Sequence, residues 1–228
     1  MPAVLVNTAA VLCGSLIGIL FSSRLNDRLR DAVMKALGLC TMLIGVQSAL
    51  KTQELLCVIL CMVIGTVIGE LLRIDDGIEH AGDAIKAKLP KGKGGGSRFT
   101  EGFVSASILF CIGSMTIVGS LQAGLVGDNT MLFTKSLLDF ISSIMFSASM
   151  GIGVMFAAVF VLVFQGAIVL AAQAIAPFLS EPVVAEMTCV GSLLILGIGI
   201  NLTGIGKLKL MNYLPAIFVP IFILRFFG

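Results

Sequence analysis

Apolar residues along this chain come in long unbroken runs, not in the alternation of a half-buried strand or the three-to-four spacing of a surface helix. About eight such runs, near 4–22, 34–50, 55–72, 102–125, 130–150, 153–176, 187–205 and 211–227, approach the length at which a helix crosses a bilayer, about 20 residues. The second and last are short enough to tilt or to be partly re-entrant. One link, 73–101, is long; the others are short. The pattern predicts an all-α fold, a polytopic transmembrane helical bundle with no large aqueous domain.

Composition sharpens this. Residues of the AVILMFWYC class make up 57%, charged residues 12%, and the mean hydropathy is +1.08. A soluble globule carries about 25% charged residues. This chain has too few to cover a surface in water, so its outer face meets lipid. A net charge of +2 gives no basis for nucleic-acid binding. The six cysteines, Cys13, Cys40, Cys57, Cys61, Cys111 and Cys189, all lie inside apolar runs and are expected as small buried hydrophobes, not disulfides. Trp is absent and Tyr213 is the only Tyr, so the interfacial aromatic belt is thin, and the 15 Phe take part of its place. No Lys or Arg precedes Arg24; a cleavable signal peptide needs a basic start, so the first run is expected as a retained span. Leu12 before Cys13 argues against a lipoprotein site.

Positive charge sets the orientation. Arg24, Arg28, Arg30 and Lys35 follow the first run, Arg73, Lys86, Lys88, Lys91, Lys93 and Arg98 the third, and Lys207 and Lys209 the seventh. All fall on one side of an eight-span chain, which is therefore expected to be cytoplasmic. Lys51, Lys135, Arg225, Asp128, Glu181 and Glu186 fall on the other, and both termini are expected outside. Within the long loop, Ile74, Ile78, Ala81, Ile85 and Leu89 have near-helical spacing, which predicts an amphipathic helix on the membrane face. The run KGKGGGSR is a flexible basic linker without phosphate-loop spacing. His80, the only histidine, is expected as a solvated surface residue.

Two stretches, 14–51 and 166–207, share a layout of span, short link and glycine-interrupted span; Ala32, Met34, Gly38 and Leu43 recur as Ala185, Met187, Gly191 and Leu196. In an eight-span chain they run in opposite senses, as the halves of an inverted repeat do. This divides the chain into a first repeat, 1–75, a cytoplasmic helix and linker, 76–101, a central helix pair, 102–150, and a second repeat, 151–228. Spacings Gly14-xxx-Gly18 and Gly65-xxx-Gly69 suggest close helix packing. The fourth and seventh runs are richer in polar residues: Gly113, Ser114, Thr116, Gly119 and Gln122 in one, Gly197, Gly199, Asn201 and Thr203 in the other. Such backbone is tolerated in a bilayer where it is buried or lines a cavity. Gly113, Gly119, Gly197 and Gly199 are therefore expected to break their helices at a site, with close packing as the alternative.

The fifth run has the strongest polar signal. Lys135 and Asp139 are four apart and can pair on one helix face, and Ser136, Ser143 and Ser147 continue the stripe. A carboxylate within a span costs about 2.5–3.5 kcal/mol on insertion scales, so its presence needs a compensating interaction. Asp139, Lys135, Ser143, Ser114, Thr116, Gln122, Gln165 and Asn201 are the expected solute- or ion-binding residues. Glu70 is a weaker candidate that can snorkel toward Arg73. No HExxH, GxSxG or His/Cys ligand motif appears, so neither an enzyme, a metal centre nor a cofactor is expected.

The run CIGSMTIVGSLQAGLVGD, with KSLLD, FSASMGIGV, FQG and GIGINLTGIGKLKLMNYLPA, resembles the bacterial integral-membrane family typified by YqgA and YdfK, catalogued as domain of unknown function 554. The resemblance covers nearly the whole chain; Tyr213 in NYLPA departs from a Leu-rich version of that stretch. It implies a multi-pass protein of the bacterial cytoplasmic membrane without an established substrate. Three readings follow: a secondary transporter of a small solute or ion, an oligomeric channel, and a structural or regulatory protein whose basic loop binds anionic lipid or a partner. The transporter reading accounts for the repeats, the broken spans and Asp139 together. Its expected partners are the bilayer, the solute or ion, and further copies of the chain.

Overall fold

The structure is a computed structural model that describes residues 1–22, 27–77, 98–111 and 114–227. Most of the amphipathic loop helix, the Gly-rich linker, His80 and Gly113 lie outside the described residues; Ile74–Gly77, where that helix was expected to begin, are helical. The elements are α1 (Pro2–Ser22), α2 (Asp27–Ala49), α3 (Leu55–Leu72), α4 (Arg98–Cys111), α5 (Ser114–Leu125), α6 (Thr130–Met150), α7 (Gly153–Leu170), α8 (Glu181–Thr203) and α9 (Val219–Phe227). A 3₁₀ segment, Leu210–Ile217, precedes α9, and short helical turns at Ala172–Ile175 and Ala176–Phe178 link α7 to α8.

Among the described residues six helices, α1, α2, α3, α6, α7 and α8, are long and apolar enough to cross a membrane. The α4–α5 pair, bent by 57°, is a seventh crossing if taken as one broken span, and Leu210–Leu224 is apolar but shorter. The final run is thus not one straight helix. Pro215 lacks the N–H an α-helix needs, and the chain there winds as 3₁₀.

Three glycine contacts set the packing. Cβ atoms built on Gly14 and Gly18 of α1 would lie 2.1 Å from the Ser143 and Ser147 hydroxyls of α6, so the two helices run parallel in backbone-close contact. Gly38 and Gly45 of α2 meet Gly199 and the Ser192–Leu196 stretch of α8, antiparallel, and Gly65 and Gly69 of α3 meet Ala216 and Asn212. Of α8, 72% is buried against 28% of the apolar stretch in α2 and in α3, which makes α8 the centre of its half of the bundle. The outer faces carry Leu5, Leu16 and Leu20 of α1, Leu55, Leu56 and Val63 of α3, and Val159 and Val163 of α7, all exposed. That is an inside-out surface only lipid satisfies.

Local chemistry fixes the helix ends. Gly204 (φ 77°) takes the left-handed conformation that ends α8, and Gly151 (φ 82°) ends α6 in another positive-φ conformation open to glycine. Asp128 accepts the Thr130 N–H at the start of α6, which holds its carboxyl below the usual range. At the opposite end of the bundle Lys209 donates to Asp76 (3.0 Å); this hydrogen bond and the aspartate's charge raise the lysine above its usual value. Both are exposed, so solvent screens the pair and it contributes little.

Two expectations need correction. Cys13 and Cys40 are exposed on the outer faces of α1 and α2, whereas Cys57, Cys61, Cys111 and Cys189 are buried; all are free thiols. Glu186 is not a loop charge outside the bundle. Helix α8 starts at Glu181, so Glu186 falls in its second turn and is 1% exposed. Its carboxylate accepts from the Thr52 hydroxyl (2.7 Å) and from the Gln53 and Glu54 backbone N–H groups (2.9 and 3.1 Å). It thereby satisfies orphan donors at the start of α3, which has no side-chain cap of its own. Glu186→Ala is expected to lower stability by about 1 kcal/mol, since it removes the acceptor that these three part-buried donors share; Glu186→Gln should lose less. Equilibrium unfolding in detergent measures both.

Candidate functional site

Asp139 lies near the middle of α6, about 13 Å along the axis from its first residue at 1.5 Å per residue. The stripe read from the sequence does turn inward: Lys135, Ser136, Asp139, Ser143 and Ser147 are all buried, while Leu137, Leu138 and Ile141 face outward. A helix repeat of 3.6 residues puts i and i+4 one above the other, so the Lys135 ammonium reaches one turn forward to Asp139 Oδ2. Both residues are 6% exposed. The face of Phe110, at the end of α4, lies 6.0 Å from Lys135 Nζ and gives the ammonium a second, weaker partner.

Two neighbouring helices complete the group. Asn7 of α1 donates through Nδ2 to Asp139 Oδ2 (3.0 Å) and to Gln165 Oε1 of α7 (3.2 Å). Asn7 and Gln165 are fully buried at 0% exposure. Each retains one polar atom with no protein partner, Asn7 Oδ1 and Gln165 Nε2. The site thus holds a neutralised charge pair, one spare acceptor and one spare donor, in a region where unpartnered polar atoms are costly.

The structure brings together three of the expected residues, Asp139, Lys135 and Gln165. Asn7 was not among them, although it is the only Asn, Asp, Glu, Lys, Arg or Gln in the first apolar run, 4–22. That isolation was the signal available for it. Ser143, one turn beyond Asp139, donates to Phe140 O (2.8 Å) and faces Gly14. Thr116 donates to Phe110 O (3.1 Å), which ties α5 to the end of α4 across the bend. Gln122 is half-buried on α5 and makes no hydrogen bond to the Asp139 group. Asn201 is committed elsewhere: its side chain both donates to and accepts from the Leu208 backbone (2.9 and 2.8 Å), clamping the turn after α8. Gly113 and the Ser114 side chain lie outside the described residues.

Of the four glycines expected to break helices, Gly113 lies outside the described residues, between the two helices of the bent α4–α5 pair, and the other three do not break theirs. Gly119 lies within continuous α5, and Gly197 and Gly199 within continuous α8. A Cβ at Gly199 would lie 2.4 Å from Met42 and 2.6 Å from the Gly38 carbonyl, and one at Gly197 would lie 2.5 Å from Leu210. These positions serve close approach of neighbours. Glu70, at the other end of α3, accepts from the Asn212 amide (2.6 Å), whose oxygen accepts the Asp75 N–H (2.8 Å), so its partner is Asn212. No group of three or more metal-ligating side chains occurs among the described residues.

Residues 2–225 match the family described as "Protein of unknown function (DUF554)". The chain is 33% identical to the "Uncharacterized membrane protein YdfK" of Bacillus subtilis, over 97% of this chain and 96% of that protein. It is 32% identical to the "Uncharacterized protein YqgA" of Escherichia coli, over 93% and 91% respectively. No solved structure matches it. With its apolar helices and their lipid-facing surfaces, the chain is a multi-pass helical membrane protein and belongs to the DUF554 family.

Proposed function

We propose that this protein is a secondary transporter of a small solute or ion in the bacterial cytoplasmic membrane, with Asp139 as the carboxylate that meets the solute or its coupling ion. Lys135 is the counter-charge that Asp139 exchanges against it. The observation that carries this reading is the group of Lys135, Asp139, Asn7 and Gln165: a buried pair in a cluster that spans three helices, with an amide acceptor and an amide donor left over. A pair that only fastened helices would need no spare hydrogen-bonding atoms around it, whereas a site that takes a ligand does. The antiparallel contact of α2 with α8 supports an inverted arrangement of the two repeats, because equivalent helices related by an in-plane axis run in opposite senses. The distribution of Lys and Arg supports a cytoplasmic 73–101 loop and outward termini.

Uptake into proteoliposomes tests the reading. The wild-type protein should give saturable uptake with at least one member of a panel of labelled ions and small metabolites, chosen by thermal-shift screening. Asp139→Asn preserves shape and keeps an oxygen for the Lys135 ammonium but leaves that charge unneutralised; it should abolish uptake and lower the melting temperature less than Asp139→Leu does, with a folded population retained. Linear, unsaturable flux would replace the carrier by a channel, and unaltered uptake by the Asn variant would remove Asp139 from the mechanism.

A further inference from the structure

We propose that the inner face of α6 carries a water-lined proton path, running from Asp139 past Ser107 and Ser15 to Ser149 at the α6–α7 turn, with a shorter arm toward Ser120. The inference builds on Asp139 as the translocating carboxylate and names the ion that it exchanges. Six buried polar atoms within the helices lack a protein partner: Asn7 Oδ1, Gln165 Nε2 and the hydroxyls of Ser15, Ser107, Ser120 and Ser149. They lie on α1, α4, α5, α6 and α7, and none on α2, α3 or α8 among the described residues. In that second group the buried or half-buried hydroxyls of Thr41, Thr66, Thr188 and Ser192 each donate to the carbonyl four residues back. Every helical serine has such a carbonyl nearby, so those that do not use it aim elsewhere. A buried polar group left without a partner in a bilayer is costly, and bound water is the ordinary partner for it.

The six atoms also fall in order along α6. Ser120 follows Gly119, whose Cβ position lies 3.2 Å from Leu132. Asn7 and Gln165 come next, at Asp139. Ser107 lies on α4 between Phe110, which faces Lys135, and Gly102, whose Cβ position is 3.1 Å from Met150. The Ser15 carbonyl accepts from Ser147 (3.0 Å), and Ser149 is on α6 itself. From the level of Leu132 to Ser149 the rise is about 25 Å at 1.5 Å per residue, most of a hydrocarbon core of about 30 Å. Ligand number selects the ion. One carboxylate and single hydroxyls at separate levels cannot replace the oxygen shell of a hard metal cation, whereas a proton needs only one water and one acceptor at a time. The titratable groups facing Asp139 are Lys135 on its own helix and Cys111 on α4, within electrostatic reach of both; α1 and α7 present only amides. In the transfer step a hydronium in the path gives its proton to an Asp139 oxygen and becomes water. The carboxyl is then neutral and the Lys135 ammonium has no counter-ion; loss of the proton to the other arm restores the pair.

The test has two arms on the full chain. X-ray hydroxyl-radical footprinting in nanodiscs reads bound water without reference to transport, and like residues are compared. Met150 and Cys111, beside the path, should oxidise at least five times faster than Met211 and Cys61, which are as deeply buried in the other half of the bundle. Equal rates would mean a dry interior and overturn the path. In liposomes with an entrapped pH-sensitive dye, a potassium diffusion potential should drive proton flux that Ser107→Ala and Ser149→Ala each reduce at least tenfold. Their melting temperatures should be equal to or above that of the wild type. Flux indifferent to both variants, or absent from the wild type, would overturn the path. Solute uptake by a protein with a dry interior sinks the path alone, and proton flux without uptake of any solute sinks the solute reading alone.

Discussion

Replacing Lys135 by Met lowers the stability of the bundle by about 3–5 kcal/mol, the usual cost of removing one partner from a buried ion pair. The Asp139 carboxylate then has only the Asn7 amide, in a site at 6% exposure. Asp139→Leu should cost a similar amount, because the ammonium keeps only the Phe110 ring, at 6.0 Å. The double variant, Lys135→Met with Asp139→Leu, regains most of the loss, since no uncompensated charge remains. It does not regain all of it: one Asn7 N–H loses its acceptor, which leaves about 1–3 kcal/mol. Reversible unfolding in mixed micelles gives the three values and the coupling between them. Additive single effects would show that the two side chains do not compensate each other. Transport separates what stability cannot. The double variant should be folded and inactive if Asp139 meets the ion, and folded and active if the pair is only a fastener.

The pair was legible because helical spacing is a local property. Residues four apart share a face whatever the helix packs against, so Lys135, Asp139, Ser143 and Ser147 could be assigned to one inward stripe from the sequence alone. The partners across the interface were another matter. Asn7 and Gln165 come together only because α1 packs between α6 and α7 in one particular rotation, and rotation is set by which glycines touch. Gln165 was selected as a polar residue in an apolar run. By the same rule Asn7, the one amide in the first run, is as strong a candidate.

Glycine was the harder residue to interpret, because the absence of a side chain has two opposite uses. It frees the backbone to break a helix, and it lets another backbone approach. Gly14, Gly18, Gly65 and Gly69, at four-residue spacing, announced the second use and have it. Gly197 and Gly199 sit two apart among Ile and Asn, a pattern equally suited to either; in α8 they face Leu210 and α2 in an unbroken helix. Asn201 misled for a related reason. Its place beside the glycines of the seventh run suggests a ligand group, but near the end of α8 an amide can clamp the following turn, as it does at Leu208. Glu186 was displaced by a boundary error: with the helix start placed after it the residue read as a loop charge, and with the start at Glu181 it turns inward onto α3.

The contact between α1 and α6 predicts the second large effect. A Cβ at Gly18 would lie 2.1 Å from Ser147 Oγ, 2.3 Å from the Ile144 carbonyl and 2.9 Å from the Ala148 nitrogen. A hydroxyl can rotate away, but two of these atoms are backbone, so relief requires the helices to separate. Gly18→Ala should therefore destabilise by about 1–3 kcal/mol, the usual cost of overpacking, and Gly18→Leu by more. Removing the hydroxyl as well, in Gly18→Ala with Ser147→Gly, should recover only part of the loss, because the Ile144 carbonyl remains. Gly166→Ala is the matched control: it lies on α7 beside Gln165, yet its Cβ would meet only Met1 Cε at 3.8 Å. It should be neutral or stabilising by up to about 1 kcal/mol from helix propensity alone. The two variants should part in transport also. Asn7 rides on α1 together with Gly18, so moving α1 off α6 draws the amide away from Asp139, and uptake should fall more steeply than stability. Gly18→Ala that melts like the wild type and still transports would mean that α1 and α6 do not approach this closely, and the Asn7–Asp139 bond would fall with that contact.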